Sequence, residues 1–323
     1  METVIEGIES IRTAVPAGIG EEYISMTPVT YQEYLEYASK HDHVVIGGVK
    51  LPLKVKVKEP LNPVDFTVET TTVWSFPKRG TWATHRYNAR YRGNWAPQVA
   101  RNLILLYSKE NDVVLDPFMG SGTTIIECKL LKRYCIGVDI NYDAVMLAWS
   151  RLDFTVDGEP PDSRVRLYWG DARNLDAISD ESVDLIATHP PYAGIIRYGN
   201  SQRIEGDLSG LRDVDLFARE MRRVASEFYR VLKPGGHAAV MIGDARINKH
   251  IVPIGFRVLQ VFLEEGFVLR EHIIKVQHNM NGTRKWVGRN RGFLLIKHEH
   301  IFVFRKRRNG ESPRKNVKSA KWW

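Results

Sequence analysis

The chain reads as an α/β protein built on a mostly parallel sheet, and three observations predict it. A glycine turn, Asp116-Pro117-Phe118-Met119-Gly120-Ser121-Gly122-Thr123-Thr124, lies between the apolar run Val113-Val114-Leu115 and a run with helical spacing, Ile125 to Leu131. A second apolar strand, Cys135 to Val138, ends in Asp139, about 20 positions past the glycines. Two more, Val165 to Trp169 and Val183 to Thr188, lead into Gly170-Asp171 and His189-Pro190-Pro191-Tyr192. Four successive strands ending in polar residues on one rim describe a parallel sheet whose C-terminal edge is the active edge.

In chain order, residues 1–73 form an N-terminal accessory region. Tyr31 to Tyr37 has the spacing of a short helix, and Val44 to Val49 and Leu51 to Val57 read as two strands about Gly47-Gly48. Pro60 and Pro63 mark a connector. This region is either a small domain that grips substrate or a cover for one sheet edge. Trp74 to Arg101 differs in character: six basic side chains, six aromatics and no acid. Basic groups neutralise phosphates and aromatic faces accept unstacked bases. Trp82, Arg86, Arg90, Tyr91 and Arg92 are therefore candidate nucleic-acid contacts. Pro97 to Tyr107 is helical in spacing.

After Tyr192 a polar stretch from Ala193 to Gly210 leaves the rim, with Arg197 and Tyr198 placed to touch substrate. Asp213 to Leu232 is a long amphipathic helix stopped by Lys233-Pro234-Gly235-Gly236, and His237 to Gly243 is the next strand. Pro253 to Glu265 is a helix; Phe267 to Gln277 and His298 to Lys306 are strands. The loop between those strands carries Arg284, Lys285, Trp286, Arg289 and Arg291, a third set of candidate nucleic-acid contacts. Residues 307–323 read as a basic, flexible tail.

Net charge is +8, and its distribution is uneven. Arg270 to Trp323 holds 15 Lys+Arg against 3 Asp+Glu, or +12, leaving −4 for the remainder. Positive charge gathered at one end suits a polyanionic partner. Hydrophobic content of 43% supports a real core, no apolar run reaches the length of a membrane span, and the N-terminus has no leader-like pattern. With only Cys128 and Cys135, a disulfide framework and a cysteine metal set are not expected; both pack as small hydrophobes beside the glycine turn. These features point to a soluble, reducing, cytoplasmic setting with no membrane partner.

Asp-Pro-Phe-x-Gly-Ser-Gly-Thr-Thr followed by Pro-Pro-Tyr resembles the S-adenosylmethionine-dependent amino-methyltransferases of the DNA cytosine-N4/adenine-N6 family, over roughly Trp74 to Lys306. Most members carry Ser, Asp or Asn before Pro-Pro-Tyr, where this chain has His189. The resemblance implies a Rossmann-like class I methyltransferase domain over residues 74–306, with a seven-stranded sheet containing one antiparallel strand. It also implies S-adenosyl-L-methionine as cofactor. Asp116, Pro117, Phe118, Gly120, Ser121, Gly122 and Thr123 would take its methionine side, Asp139 and Ile140 its ribose, and Asp171 and Ala172 its adenine. The segment before the glycine turn would close over the methionine end as well as contact nucleic acid.

His189, Pro190, Pro191 and Tyr192 are the catalytic candidates. An exocyclic base amine is a poor nucleophile because its lone pair is delocalised into the ring. Paired prolines hold the backbone extended, which can aim the Pro190 carbonyl at one amine hydrogen while neutral His189 accepts the other. Tyr192 would stack on a flipped or unpaired base. After the catalytic motif, the sequence leaves little beyond the fold's own elements to read base pairs. That favours structured RNA slightly over sequence-specific DNA, with cytosine N4 as the acceptor. A nucleic-acid-binding protein that has kept the fold without catalysis is the reading from another class.

Overall fold

The computed structural model describes residues 23–192, 204, 206–278 and 292–321. The described chain opens with β1 (Thr27–Val29), α1 (Tyr31–Lys40), β2 (His43–Ile46), β3 (Val49–Pro52) and β4 (Val73–Ser75). There follow α2 (Pro97–Tyr107), β5 (Val113–Asp116), α3 (Thr123–Leu130), β6 (Tyr134–Asp139), α4 (Tyr142–Leu152), β7 (Val165–Trp169) and β8 (Val183–Thr188). The last elements are α5 (Val214–Val231), β9 (Leu232–Ile242), β10 (Ala245–Ile247), β11 (His250–Val252), α6 (Ile254–Glu264), β12 (Val268–Val276) and β13 (His298–Arg305).

One sheet runs in the order β1-β7-β6-β5-β8-β9-β13-β12-β4. β7, β6, β5, β8 and β9 are mutually parallel, and β13 runs against both β9 and β12. The central seven strands with one reversed are the arrangement expected of a class I methyltransferase. The sheet is wider than expected, because two short strands extend it: β1 lies antiparallel along β7, and β4 parallel along β12. Three residues are too few to announce a strand by alternation, which is why neither edge was legible.

Side chains alternate between the two sheet faces. Val114, Ile301 and Val303 enter one core with α2, α3 and α4; Leu115, Phe302 and Phe304 enter the other with α5 and α6. Burial on both faces keeps the parallel strands apolar until they reach the rim. The long helices are capped as their sequences suggest: Asn141 accepts from the Asp143 N–H and Asp213 from the Asp215 and Leu216 N–H groups.

In the N-terminal region, Thr30 and Glu33 form a reciprocal capping box on α1. Tyr31 of α1 packs against Trp149 of α4, while β1 lies along the sheet edge. β2 and β3 pair about Gly47-Gly48, but β3 starts earlier than expected and ends at Pro52, so the Lys–Val alternation after it is not strand. Among residues 307–321 two short 3-10 turns, kinked at Asn316, lie within Pro313–Ser319, and Arg305 grips Glu311 through two bonds of 2.7 and 2.8 Å, so the basic end folds back on the sheet. Cys128 and Cys135 are buried at the α3–β6 junction, as expected of their burial, but they are joined as a disulfide. A tight connection brings their Cα atoms to 5.9 Å, which seven residues of sequence separation did not announce. No described helix is long and apolar enough to cross a membrane.

Candidate active site

The glycine turn starts where β5 ends. Gly120 has φ +52° and Gly122, the residue before α3, has φ +79°, conformations that favour glycine. A Cβ on Gly120 would lie 2.9 Å from the Tyr91 ring, and one on Gly122 would lie 3.2 Å from the Ala148 Cβ. The first glycine therefore admits a close approach over the turn, and the second seats the turn on α4. Gly120 N–H donates to Asp139 at 2.8 Å and Asn141 N–H to its other oxygen at 2.9 Å, so the Asp139 carboxylate ties the turn to the end of β6.

Three carboxylates meet there. Burial pushes Asp116 up to about 6, against donation from Thr188 at 2.6 Å and the Phe118 N–H. Burial also pushes Asp139 up to about 7, with Asp207 and Asp116 adding repulsion and the Asn141 and Gly120 N–H groups opposing it. Such acids are buried and have hydrogen-bond donors, but no cation faces them among the described residues. A ligand bringing a cationic centre and further hydroxyl groups suits them, so the turn and its carboxylates fit S-adenosylmethionine.

A single cavity of about 1280 Å³ joins this turn to the His189-Pro190-Pro191-Tyr192 segment. Asp116, Pro117, Phe118, Gly120, Thr123, Asp139, Ile140, Asp171 and Ala172 all line it. Ser121 and Gly122 do not, because both lie beneath the turn: Ser121 is wholly buried and its carbonyl accepts from Asn88. Asp171 is already paired, with Arg173 donating to both of its oxygens and reaching on to Glu220. Any adenine contact by Asp171 is shared with that ion pair. The Ile46-Gly47-Gly48 turn of the N-terminal hairpin also lines the cavity.

On the other wall, His189 Nε2 is 2.8 Å from Tyr192 Oη, which donates to Glu299 Oε1 at 2.5 Å; Lys275 Nζ donates to Glu299 Oε2 at 2.9 Å. Burial lowers His189 to about 4, so the imidazole is neutral at ordinary pH. Burial works against an ionised Glu299, but Lys275, His189 and Tyr192 together hold its carboxyl below the usual value. Trp95 stacks over His189 at 6.0 Å between centroids. The Tyr192 ring lines the cavity yet is 8% exposed, and a Cβ on Gly243 would sit 3.0 Å from it. It is a wall fixed at its hydroxyl end rather than an open stacking platform. Glu299 and Lys275 were missed by sequence reasoning; a glutamate at the start of an otherwise apolar strand was the available signal.

The basic–aromatic segment divides. Tyr91 and Arg92 line the cavity, Tyr91 directly over the glycine turn, and Arg86 and Arg90 are exposed. Trp82 is elsewhere: its indole donates at 2.7 Å to Glu127 of α3, which also binds His85 at 2.6 Å and Arg101 at 2.8 Å. It pins the segment to the helix and is not a base contact. A buried acid needs those donors, and the sequence separation hid them. Arg79, not singled out by sequence, lines the cavity with Nε and Nη2 buried and unbonded, and burial lowers it to about 10. Arg197, Tyr198, Arg284, Lys285, Trp286, Arg289 and Arg291 lie outside the described residues.

Comparison with known proteins fits this geometry. The N6/N4 methyltransferase family model, described as DNA methylase, matches residues 25–149 and 183–321, most of the chain. The chain belongs to this family. A model for the RMKL-like methyltransferase domain also matches residues 88–246. Among curated relatives, the type II methyltransferase M.MthZI of Methanothermobacter thermautotrophicus is 29% identical over 166 residues, 46% of this chain and 45% of that protein. M.HpaI of Haemophilus parainfluenzae is 50% identical over 56 residues, 17% and 18% of the two chains. A tRNA (guanine(10)-N2)-dimethyltransferase of M. thermautotrophicus is 35% identical over 109 residues, 33% and 30%. The chain thus spans about half or less of the length of these curated relatives. Of solved structures, TrmN from Thermus thermophilus is similar at a TM-score of 0.43 and 21% identity, covering 67% of this chain and 50% of that one.

Proposed function

We propose that this chain transfers a methyl group from S-adenosylmethionine to an exocyclic amine of a nucleic-acid base. The observation that carries the reading is the single cavity holding both the glycine turn and the Pro-Pro-Tyr segment. Asp116, Phe118, Gly120 and Thr123 would hold the methionine side, Asp139 the ribose and the Asp171 region the adenine. Arg79, an unpaired cation in the wall, suits the cofactor's carboxylate. Bound there, S-adenosylmethionine supplies an already activated sulfonium methyl, so positioning supplies most of the catalysis. The chain's own task is to hold the amine: the Pro190 carbonyl and neutral His189 accept its two hydrogens and draw the nitrogen toward tetrahedral geometry. The wall formed by Tyr192 and Trp95 keeps water from that nitrogen.

The finer reading is cytosine N4, with structured RNA ahead of DNA on the sequence argument. The tRNA relative supports RNA, whereas the family description and the type II relatives weigh toward DNA. Incubation with methyl-labelled cofactor and separate pools of DNA and ribosomal RNA, followed by nucleoside mass spectrometry, decides it. Label in N4-methylcytidine from the RNA pool is the expected product. Label only in deoxynucleosides assigns DNA, and no label in either pool removes both nucleic-acid acceptors.

A further inference from the structure

His189 stands where most members of the family carry Ser, Asp or Asn, and it raises a problem those residues do not have. A carboxylate, a hydroxyl or an amide carbonyl is always an acceptor. A neutral imidazole has one bare nitrogen and one N–H, and only the bare nitrogen can hold an amine hydrogen. Which nitrogen is bare depends on what the other one touches. Here the chain of contacts is closed on one side and open on the other. Glu299 is held as an anion by Lys275 at 2.9 Å, and the Tyr192 hydroxyl has one proton, which goes to that carboxylate at 2.5 Å. The Tyr192 oxygen, 2.8 Å from His189 Nε2, can then only accept, so Nε2 carries the imidazole proton. Nδ1 is buried and, among the described residues, meets no partner at full hydrogen-bond geometry.

We propose that Glu299, acting through Tyr192, is a positioning residue that fixes His189 in the Nε2–H tautomer and so keeps Nδ1 bare as the acceptor for the substrate amine. This deepens the methyltransferase reading and rests on it for the identity of the amine. Lys275 secures the relay by keeping Glu299 ionised, and Trp95 stacks on the imidazole plane. The depressed pKa of His189 agrees, since a doubly protonated ring would offer no acceptor at all. The Gly93 backbone lies close enough to draw the pKa slightly upward and is the competitor for a proton on Nδ1. A neutral amide at position 299 changes the logic. Its NH₂ can donate to Tyr192, the tyrosine proton turns to His189 Nε2, and the imidazole proton is driven to Nδ1.

The test is ¹⁵N spectroscopy of the histidine side chains in the full chain, with the His189 signals assigned by their loss in His189→Asn. Wild type is expected to show a protonated Nε2 and a bare Nδ1. Glu299→Gln is expected to move the proton to Nδ1 and lower kcat roughly 10- to 100-fold, the range for losing one well-placed hydrogen bond, with cofactor affinity unchanged. In the His189→Asn background, whose amide oxygen has no tautomer to set, Glu299→Gln should change kcat by less than about threefold. A proton on Nδ1 in wild type, an unmoved tautomer in Glu299→Gln, or equal losses in the two backgrounds would overturn the proposal. Tyr192→Phe, which cuts the relay and leaves Glu299 in place, must shift the tautomer ratio as well. The spectra need no turnover: a chain that methylates neither DNA nor RNA sinks the substrate reading, while the tautomer still stands or falls by itself.

Discussion

The two walls of the cavity are made of different materials. The cofactor wall is largely main chain: a turn between β5 and α3 whose Gly120 N–H, with that of Asn141, is held by the Asp139 carboxylate at the end of the neighbouring strand. The acceptor wall is side chains, with His189 and Tyr192 from the end of β8, Glu299 from β13, Lys275 from β12 and Trp95 from the segment before α2. A backbone site is fixed by local conformation and tolerates drift elsewhere. A side-chain network assembled from distant elements can be re-specified by single replacements, and the His189 position is such a case.

This contrast can be broken experimentally, beginning where the effect is largest. Glu127 anchors the segment that carries Trp95 to the cofactor helix and sits among Trp82, His85 and Arg101. Glu127→Ala leaves Arg101 buried without its carboxylate partner and should cost about 3–5 kcal/mol of stability, read from chemical denaturation. If the loss is slight, the walls are not mechanically joined through α3. His189→Ala should lower kcat by roughly 10²–10³-fold, as for loss of an oriented polar group at the reacting centre, while the S-adenosylmethionine Kd measured by calorimetry stays level. Full activity in that variant would take His189 out of the mechanism.

Gly120→Ala forces a side chain into φ +52° and against Tyr91, at about 1–3 kcal/mol, or roughly 10- to 100-fold in cofactor affinity. Adding Tyr91→Ala should recover part of it by removing the clash; no recovery would mean the backbone strain alone matters. The smallest effect expected is a separation of the walls by pH. Asp139, raised to about 7, gains its proton first as pH falls, so cofactor Kd should rise below neutrality. His189, lowered to about 4, stays neutral over that range, so kcat at saturating cofactor should hold until pH approaches that value. Because the unfolded imidazole titrates near 6.5, His189 costs stability progressively as pH drops from there toward 4, and no more below. An acid limb in kcat near 6.5 would place the imidazole in a wetter site than the structure gives it.

What the sequence made legible follows the same division. Asp116, Gly120, Asp139 and Asp171 sit at fixed offsets from apolar runs, so a reader of one dimension can find them. The Pro-Pro-Tyr segment is equally compact. Glu299 and Lys275 matter only because β12 and β13 fold in beside β9, and Trp82 turned out to serve Glu127, 45 positions away. In each case a side chain's partner lies far along the chain, where composition and periodicity carry no distance. The edge strands β1 and β4 failed for a different reason, being too brief to show a period.

The pairing of β4 with β12 has a consequence for biogenesis. Val73 to Ser75 are made early, yet their neighbours in the sheet, Ile274 to Val276, are made some 200 residues later. Contacts of such long separation close late because the intervening chain must first be ordered. On a ribosome, the glycine turn and its carboxylates can therefore emerge and fold before the acceptor wall has its final strand, so a growing chain would hold a donor site before it had anywhere to deliver the methyl group.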